Sequence, residues 1–246
     1  MVMLDRWVKI LDYLSEKKSA EVQEIMDEFN ISRSTVRRDL IEMEKQKLLI
    51  RTRGGAEIIE NLVDFGDNLI EKVFHTNVEA KRKIAKKAAQ FINDNDFIFI
   101  DSGSTCYYLI DYITAKNVTV VTNGIMHIQK LMERGIGTYI LGGYAKPDAN
   151  LIEGEDTEEK LRLMNFDISF LGTLGIDSIG GFKTNSMSDV TIKKTVLKSS
   201  EKCYILADTS KFNVRRLYTY AKLDEALVIT DSKPNFDDER LKVIYA

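Results

Sequence analysis

The run Asp101-Ser102-Gly103-Ser104-Thr105 follows an apolar, strand-like stretch from Phe97 to Ile100 and leads into a stretch with helical spacing. Small residues at such a turn let backbone N–H groups converge, and a helix start adds partial positive charge, so an anion such as phosphate is the matching ligand. Similar turns follow later apolar stretches: Thr122-Asn123, Gly142-Gly143, and Gly172-Thr173-Leu174-Gly175. Ligands of parallel sheets gather at the carboxyl ends of strands, which makes these turns candidates for one shared site. Lys193 and Lys211 are candidate charge partners for a phosphate, although each lysine taken alone is expected to be solvated.

A second group of residues is basic and hydroxylic: Ser32, Arg33, Ser34, Thr35, Arg37 and Arg38, followed by Arg51 and Arg53. With Val36 at zero and about 100° per residue, Leu40 and Met43 fall within about 40° of it, so that side packs inward. Ser34, Arg38 and Ile41 face away, flanked by Arg37 and Thr35. Arginines and hydroxyls at the start of a short helix suit the major groove, where Arg can bond bidentately to guanine and hydroxyls can meet base or phosphate. Arg51 and Arg53 are placed to meet phosphate or the minor groove.

The elements that must position these groups fall into two unequal parts. Val8, Leu11 and Leu14, then Val22, Ile25, Met26 and Phe29, then Val36, Leu40 and Met43 predict three short helices within residues 1–49. Asn30 is suited to closing the second helix and Ser32 to capping the third, which gives the proportions of a helix-turn-helix. Leu48 to Arg53 and Ala56 to Ile59, around Gly54-Gly55, predict a hairpin that would serve as a wing.

From about residue 80 helix and strand alternate, which predicts a mostly parallel α/β sheet. Strands are expected at 97–100, 118–121, 138–141, 168–171, 203–207 and 226–229, with helices at 81–92, 105–113 and 126–133. The expected division is a winged helix-turn-helix over residues 1–56, a partly helical connector over 57–79, and an effector domain over 80–246.

The chain has 246 residues, with 35 Lys+Arg against 38 Asp+Glu and a formal charge of −3. That mean hides a basic patch, because residues 28–56 hold 7 Lys+Arg (among them Lys45 and Lys47) against 4 acids. No apolar run approaches the roughly 18 residues of a membrane helix, and the N-terminus lacks a secretory layout, so no membrane partner and a cytoplasmic location are expected. Cys106 and Cys203 are far apart and without a CxxC or histidine companion, so no metal and no cofactor are expected. Cys106 reads as a small buried hydrophobe.

The stretch Ile31-Ser32-Arg33-Ser34-Thr35-Val36-Arg37-Arg38-Asp39-Leu40 resembles the V-S-x-x-T-[IV]-R-R-D-L signature of the DeoR family of bacterial sugar-operon regulators. Arg51-Thr52-Arg53-Gly54-Gly55-Ala56 is similar to the family's R-x-H-G-G-A, with Arg53 in place of histidine; Lys47 replaces a usual glycine. The resemblance continues through Asp101 to Thr105, Thr122-Asn123, Gly142-Gly143, Phe170 to Asp177, Lys193 and Ala207-Asp208-Thr209-Ser210-Lys211-Phe212. Lys183, Ser186 and Val190 depart from the family's usual threonine, acid and alanine.

The resemblance implies a C-terminal fold similar to ribose-phosphate isomerases and glucosamine-phosphate deaminases. It implies a sensor that binds a phosphorylated sugar and changes the affinity of the first domain for a double-stranded DNA operator. A repressor is expected, acting as a homodimer or homotetramer because one short helix reads only a few base pairs. The rival reading is a sugar-phosphate isomerase-like enzyme with an appended DNA-binding module. Against it, Asp101 is the only obvious carboxylate at the anion loop, and His75 and His127 lie in no motif.

Overall fold

The computed structural model describes residues 3–45, 49–58, 74, 76–146 and 149–246. The chain forms two compact units, Met1–Thr76 and Asn77–Ala246. The expected partly helical connector, with His75, lies largely outside the described residues, as do Lys47, Leu48 and the side chains of Val8 and Lys45.

The first unit runs α1 (Met3–Lys17), β1 (Ser19–Glu21), α2 (Val22–Phe29), α3 (Arg33–Lys45), β2 (Leu49–Arg51) and β3 (Gly55–Ile58). Ile10, Leu14, Ile25, Val36, Leu40, Met43 and Leu49 bury almost completely in one core, so the helical spacing predicted the inward face of α3. Asn30 adopts the left-handed conformation at the end of α2, as expected of a C-cap. Ser32 Oγ accepts from Thr35 N–H at 3.3 Å and so caps α3. The wing has three strands rather than two, in the order β1-β3-β2. β1 is too short to show a period-2 pattern. Its pairing demands glycine at 55, because a Cβ there would stand 2.0 Å from the Ala20 carbonyl oxygen.

The second unit opens with α4 (Val78–Ala89), β4 (Phe97–Ile100), α5 (Ser104–Leu109), β5 (Thr119–Thr122), α6 (Ile125–Glu133) and β6 (Gly137–Ile140). There follow β7 (Tyr144–Lys146), β8 (Leu151–Glu153), α7 (Glu155–Arg162), β9 (Phe166–Gly172), β10 (Gly175–Asp177) and β11 (Gly181–Thr184). It closes with α8 (Met187–Lys198), β12 (Ser200–Leu206), β13 (Tyr218–Ala221), β14 (Leu227–Thr230) and β15 (Val243–Tyr245).

Seven strands form a wholly parallel sheet in the order β15-β14-β12-β9-β4-β5-β6. Both faces are covered, so successive residues of each central strand feed opposite cores: Ile98 and Ile100 pack with Phe170 and Tyr204, while Phe99 packs with Leu171 and Ile205. From β4 the chain first builds outward through β5 and β6, then crosses to the other side of β4 and continues through β9, β12, β14 and β15. The direction therefore reverses between β4 and β9, and the carboxyl ends of those two strands border the sheet's topological switch point. Two small antiparallel sheets, β10-β11-β13 and β7-β8, sit outside this frame.

Candidate functional sites: a reading helix and a loop cluster at the sheet's switch point

On the outward face of α3, Arg33, Ser34, Arg37, Arg38 and Ile41 are exposed and Thr35 is half-buried. Ser32 Oγ lies 2.9 Å from both Ser34 Oγ and Thr35 Oγ1, so the three hydroxyls order one another at the helix start. The arginines divide into engaged and unengaged groups. Arg33 donates to Gln23 at 3.4 Å. Arg51 is held by Glu44, through its backbone N–H at 3.0 Å and its guanidinium at 3.3 Å, which ties the wing to α3. Arg37, Arg38 and Arg53 have no ion-pair partner among the described residues.

One feature of this unit was missed in the sequence. Asp39, the residue after Arg37 and Arg38 but on the inward side of α3, is buried and accepts two hydrogen bonds from Arg6 of α1, at 2.5 and 2.9 Å. The Asp39 hydrogen bond and charge, opposed by desolvation, hold the Arg6 guanidinium above its ordinary pKa. This bidentate pair fixes α3 against α1 and keeps the Asp39 carboxylate engaged on the inward side, away from Arg37 and Arg38. A lone acid at an inward position of a basic helix was the available signal.

In the second unit, the loops after β4, β5 and β9 are bonded directly to one another. Asp101 Oδ2 accepts from Gly172 N–H at 2.8 Å, and Asn123 Oδ1 accepts from Ser102 N–H at 3.1 Å. Gly103 and Gly172 come so close that a Cβ on either would stand 3.7 Å from the other's Cα. Thr122 Oγ1 accepts from Gly124 N–H at 3.0 Å and is buried, as is Asn123. Ser102 and Gly103 are half-buried, while Ser104 and Thr105 form the nearly buried first turn of α5. First-turn N–H groups have no partner within their own helix.

The remaining predicted residues have mixed placements. Gly142 and Gly143 follow β6, where Gly142 C=O accepts from Thr157 Oγ1 at 2.6 Å. Gly143 has φ +140° and no room for a Cβ, which would lie 2.3 Å from Thr157 Oγ1. Gly175 serves packing, since its Cβ would meet the Val214 carbonyl oxygen at 2.2 Å. Lys211, half-buried in the turn after Asp208, has no ion-pair partner among the described residues.

Lys193 departs from the solvated reading of a lone lysine. It is buried, paired with Asp101 directly and with Asp189 at 3.2 Å, and stands 5.6 Å from the Tyr220 ring centroid. Burial opposes its charge, but Asp101 and Asp189 outweigh that and hold its pKa above the ordinary lysine value. Asp189, whose second oxygen accepts from Thr184 at 2.5 Å, is raised by its own burial. The Asp101 carboxylate therefore braces two loops and a buried lysine. The departure at Lys183 is likewise internal: its ammonium lies 3.3 Å from Asp177 and donates to Thr219 at 2.8 Å.

His127 lies behind the loop after β4, buried, with Nε2 3.2 Å from the Gly103 carbonyl oxygen and its ring against Tyr107. Burial lowers its pKa to about 4. Cys106 is buried with its thiol pushed well up by desolvation, as fits a packing residue. Among the described residues no group of three His, Cys, Asp or Glu could hold a metal, and no helix is long and apolar enough to cross a membrane.

A helix-turn-helix with a free basic stripe and a wing, followed by a parallel α/β domain with clustered loops, defines a DNA-binding regulator of the two-part kind. Residues 6–61 match the DeoR-like helix-turn-helix domain, and residues 76–232 match the DeoR C terminal sensor domain. The chain is 34% identical to the HTH-type transcriptional regulator FruR of Bacillus subtilis (strain 168), over 99% of this chain and 98% of that one. It is 32% identical to the HTH-type transcriptional repressor GlcR of the same organism (96% and 91% covered). It is 29% identical to the lactose phosphotransferase system repressor of Staphylococcus epidermidis (97% and 96% covered). Among solved structures, ribose 5-phosphate isomerase from Plasmodium falciparum is similar at 24% identity and a TM-score of 0.39, over 54% of this chain and 52% of that one.

The chain belongs to the DeoR family of transcriptional regulators. It is a regulator and not an isomerase, since relatives matched along nearly its whole length are named as regulators and repressors.

Proposed function

We propose that this chain is a repressor of a sugar-metabolism operon whose affinity for operator DNA is set by a phosphorylated sugar bound in the C-terminal unit. Residues 1–56 read DNA, residues 80–246 sense the effector, and 57–79 connect them. Ser32, Arg33, Ser34, Thr35, Arg37 and Arg38 face the major groove while Arg51 and Arg53 of the wing meet phosphate. Arg37, Arg38 and Arg53 carry most of the charge, having no ion-pair partner among the described residues. Two copies of the chain bind two half-sites, which one short helix requires. Acting on DNA, the protein works in the cytoplasm.

The observation that carries the effector half is the joining of the loops after β4, β5 and β9 at the sheet's switch point, where ligands of parallel sheets bind. The N–H groups of Gly103, Ser104 and Thr105 take the phosphate, with Lys211 as the cation, while Ser102, whose N–H is given to Asn123, fixes the shape of the loop. Thr122, Asn123, Gly142, Gly143, Gly172 and Gly175 shape the rim. Asp101 and Lys193 act beneath it, holding the loops in place.

The test is a thermal-unfolding screen of phosphorylated sugars against their unphosphorylated parents. A ligand that binds only the folded state raises apparent stability by about 2.7 kcal/mol at 100 times its dissociation constant. At least one phosphosugar is expected to stabilise the chain while its parent sugar does not. Equal shifts from parent and phosphorylated forms, or none from any, would reject the reading.

A further inference from the structure

The reading face of α3 contains one side chain that neither phosphate attraction nor polar base recognition accounts for. Ile41 is 39% exposed, whereas Val36, Leu40 and Met43 on the same helix are buried. Around the helix it lies about 140° from Val36, between Arg37 at about 100° and Arg38 at about 200° and close to the line of Ser34 at about 160°. It stands one turn beyond the two arginines and seven residues beyond Ser34, about 10 Å along the axis. A single exposed isoleucine on an ordinary surface means little. This one is at the centre of a basic stripe.

The surroundings limit what can cover it. Arg37 and Arg38 have no ion-pair partner among the described residues, Asp39 is turned inward and paired with Arg6, and Glu42, the residue after Ile41, is half-buried and engaged in an interaction of its own. Glu44, at about 80°, turns toward the wing and holds Arg51. The open face is therefore cationic with an apolar centre, complementary to the negative walls of a DNA groove. In the major groove the base edges offer hydrogen-bond donors and acceptors, and only thymine offers an apolar group, its 5-methyl.

We propose that Ile41 is a specificity-determining residue that reads thymine, meeting its 5-methyl group in each half-site one helical turn beyond the bases met by Arg37 and Arg38. This rests on α3 being the reading helix, as proposed above.

The probe is a duplex selected by the full chain from a randomised pool, then resynthesised with deoxyuridine replacing thymine one symmetric pair of positions at a time. Removing one buried methyl from an apolar contact corresponds to about a fourfold loss of affinity per half-site. The wild-type chain is expected to show that loss at one position. Ile41→Ala is expected to bind the thymine duplex more weakly, to lose the discrimination, and to unfold at the wild-type temperature because the side chain is exposed. Arg37→Ala is expected to weaken both duplexes while keeping the thymine preference. Indifference of the wild type to deoxyuridine at every position, or full discrimination retained by Ile41→Ala, would overturn the proposal. Failure of the full chain to select any duplex would overturn the DNA reading and this inference with it.

Discussion

Replacing Lys193 by methionine keeps most of the side-chain volume but removes the cation between two buried carboxylates, Asp101 and Asp189. Breaking a buried pair by removing one partner costs about 3–5 kcal/mol, a large share of the roughly 5–15 kcal/mol that holds a domain folded. For a unit of this size that is roughly 6–20 °C in melting temperature. The loss depends on pH in a set direction. Burial already holds Asp189 above the ordinary carboxyl value of 3.8, and without Lys193 its proton is bound still more tightly in the folded chain. An acid raised on folding contributes stability that is lost as pH rises through the window above 3.8 and returns as pH falls. Calorimetry at pH 7 and pH 5 should therefore show a large deficit for Lys193→Met that narrows at the lower pH. Adding Asp101→Asn, which removes one of the two orphaned charges, should restore part of it. A deficit under about 2 °C, or one of equal size at both pH values, would refute the idea that this lysine is held by its carboxylates.

Further outcomes follow from the same geometry. Arg37→Ala and Arg38→Ala should each weaken DNA binding by about 1–3 kcal/mol where they contact a base, as read by fluorescence anisotropy. Arg53→Ala should reduce the salt slope by about 1, and Arg51→Ala by less, because Glu44 already engages that arginine. His127→Gln should abolish a pH-dependent loss. The wild type, with this pKa lowered from 6.5 to about 4 by burial, keeps the stability above pH 6.5 and sheds it as pH falls toward 4, by roughly 3 kcal/mol in chemical denaturation. Gly143→Ala should destabilise the C-terminal unit by at least about 1 kcal/mol, since φ is +140° and Thr157 Oγ1 blocks the new methyl.

The parts legible in the sequence are those with local causes. The i, i+4, i+7 set Val36, Leu40 and Met43 marks the inward face of α3, and Asn30 marks the end of α2 by backbone preference and Ser32 the start of α3 by capping. The apolar runs of β4, β5 and β9 reflect a parallel sheet covered on both faces, and the turns after them show as small polar residues. What stayed hidden is long-range. β1 has no pattern of its own and exists by pairing with β3. The strands β10, β11 and β13 depend on each other across the chain from Gly175 to Ala221. α8 buries Val190, Ile192, Lys193 and Val196 on several sides, so it lacks a clean amphipathic stripe. The burial of Lys193 could be suspected only from Asp189 one turn earlier, because its second carboxylate lies 92 residues away.

The most direct test of the account is the affinity of the full chain for a selected duplex, measured with and without each phosphosugar that raises its melting temperature. The account predicts that one such ligand changes the dissociation constant at least about fivefold, the lower end of usual allosteric coupling, and that the duplex changes the ligand's affinity by the same factor. A ligand that binds tightly while DNA affinity stays the same would contradict it.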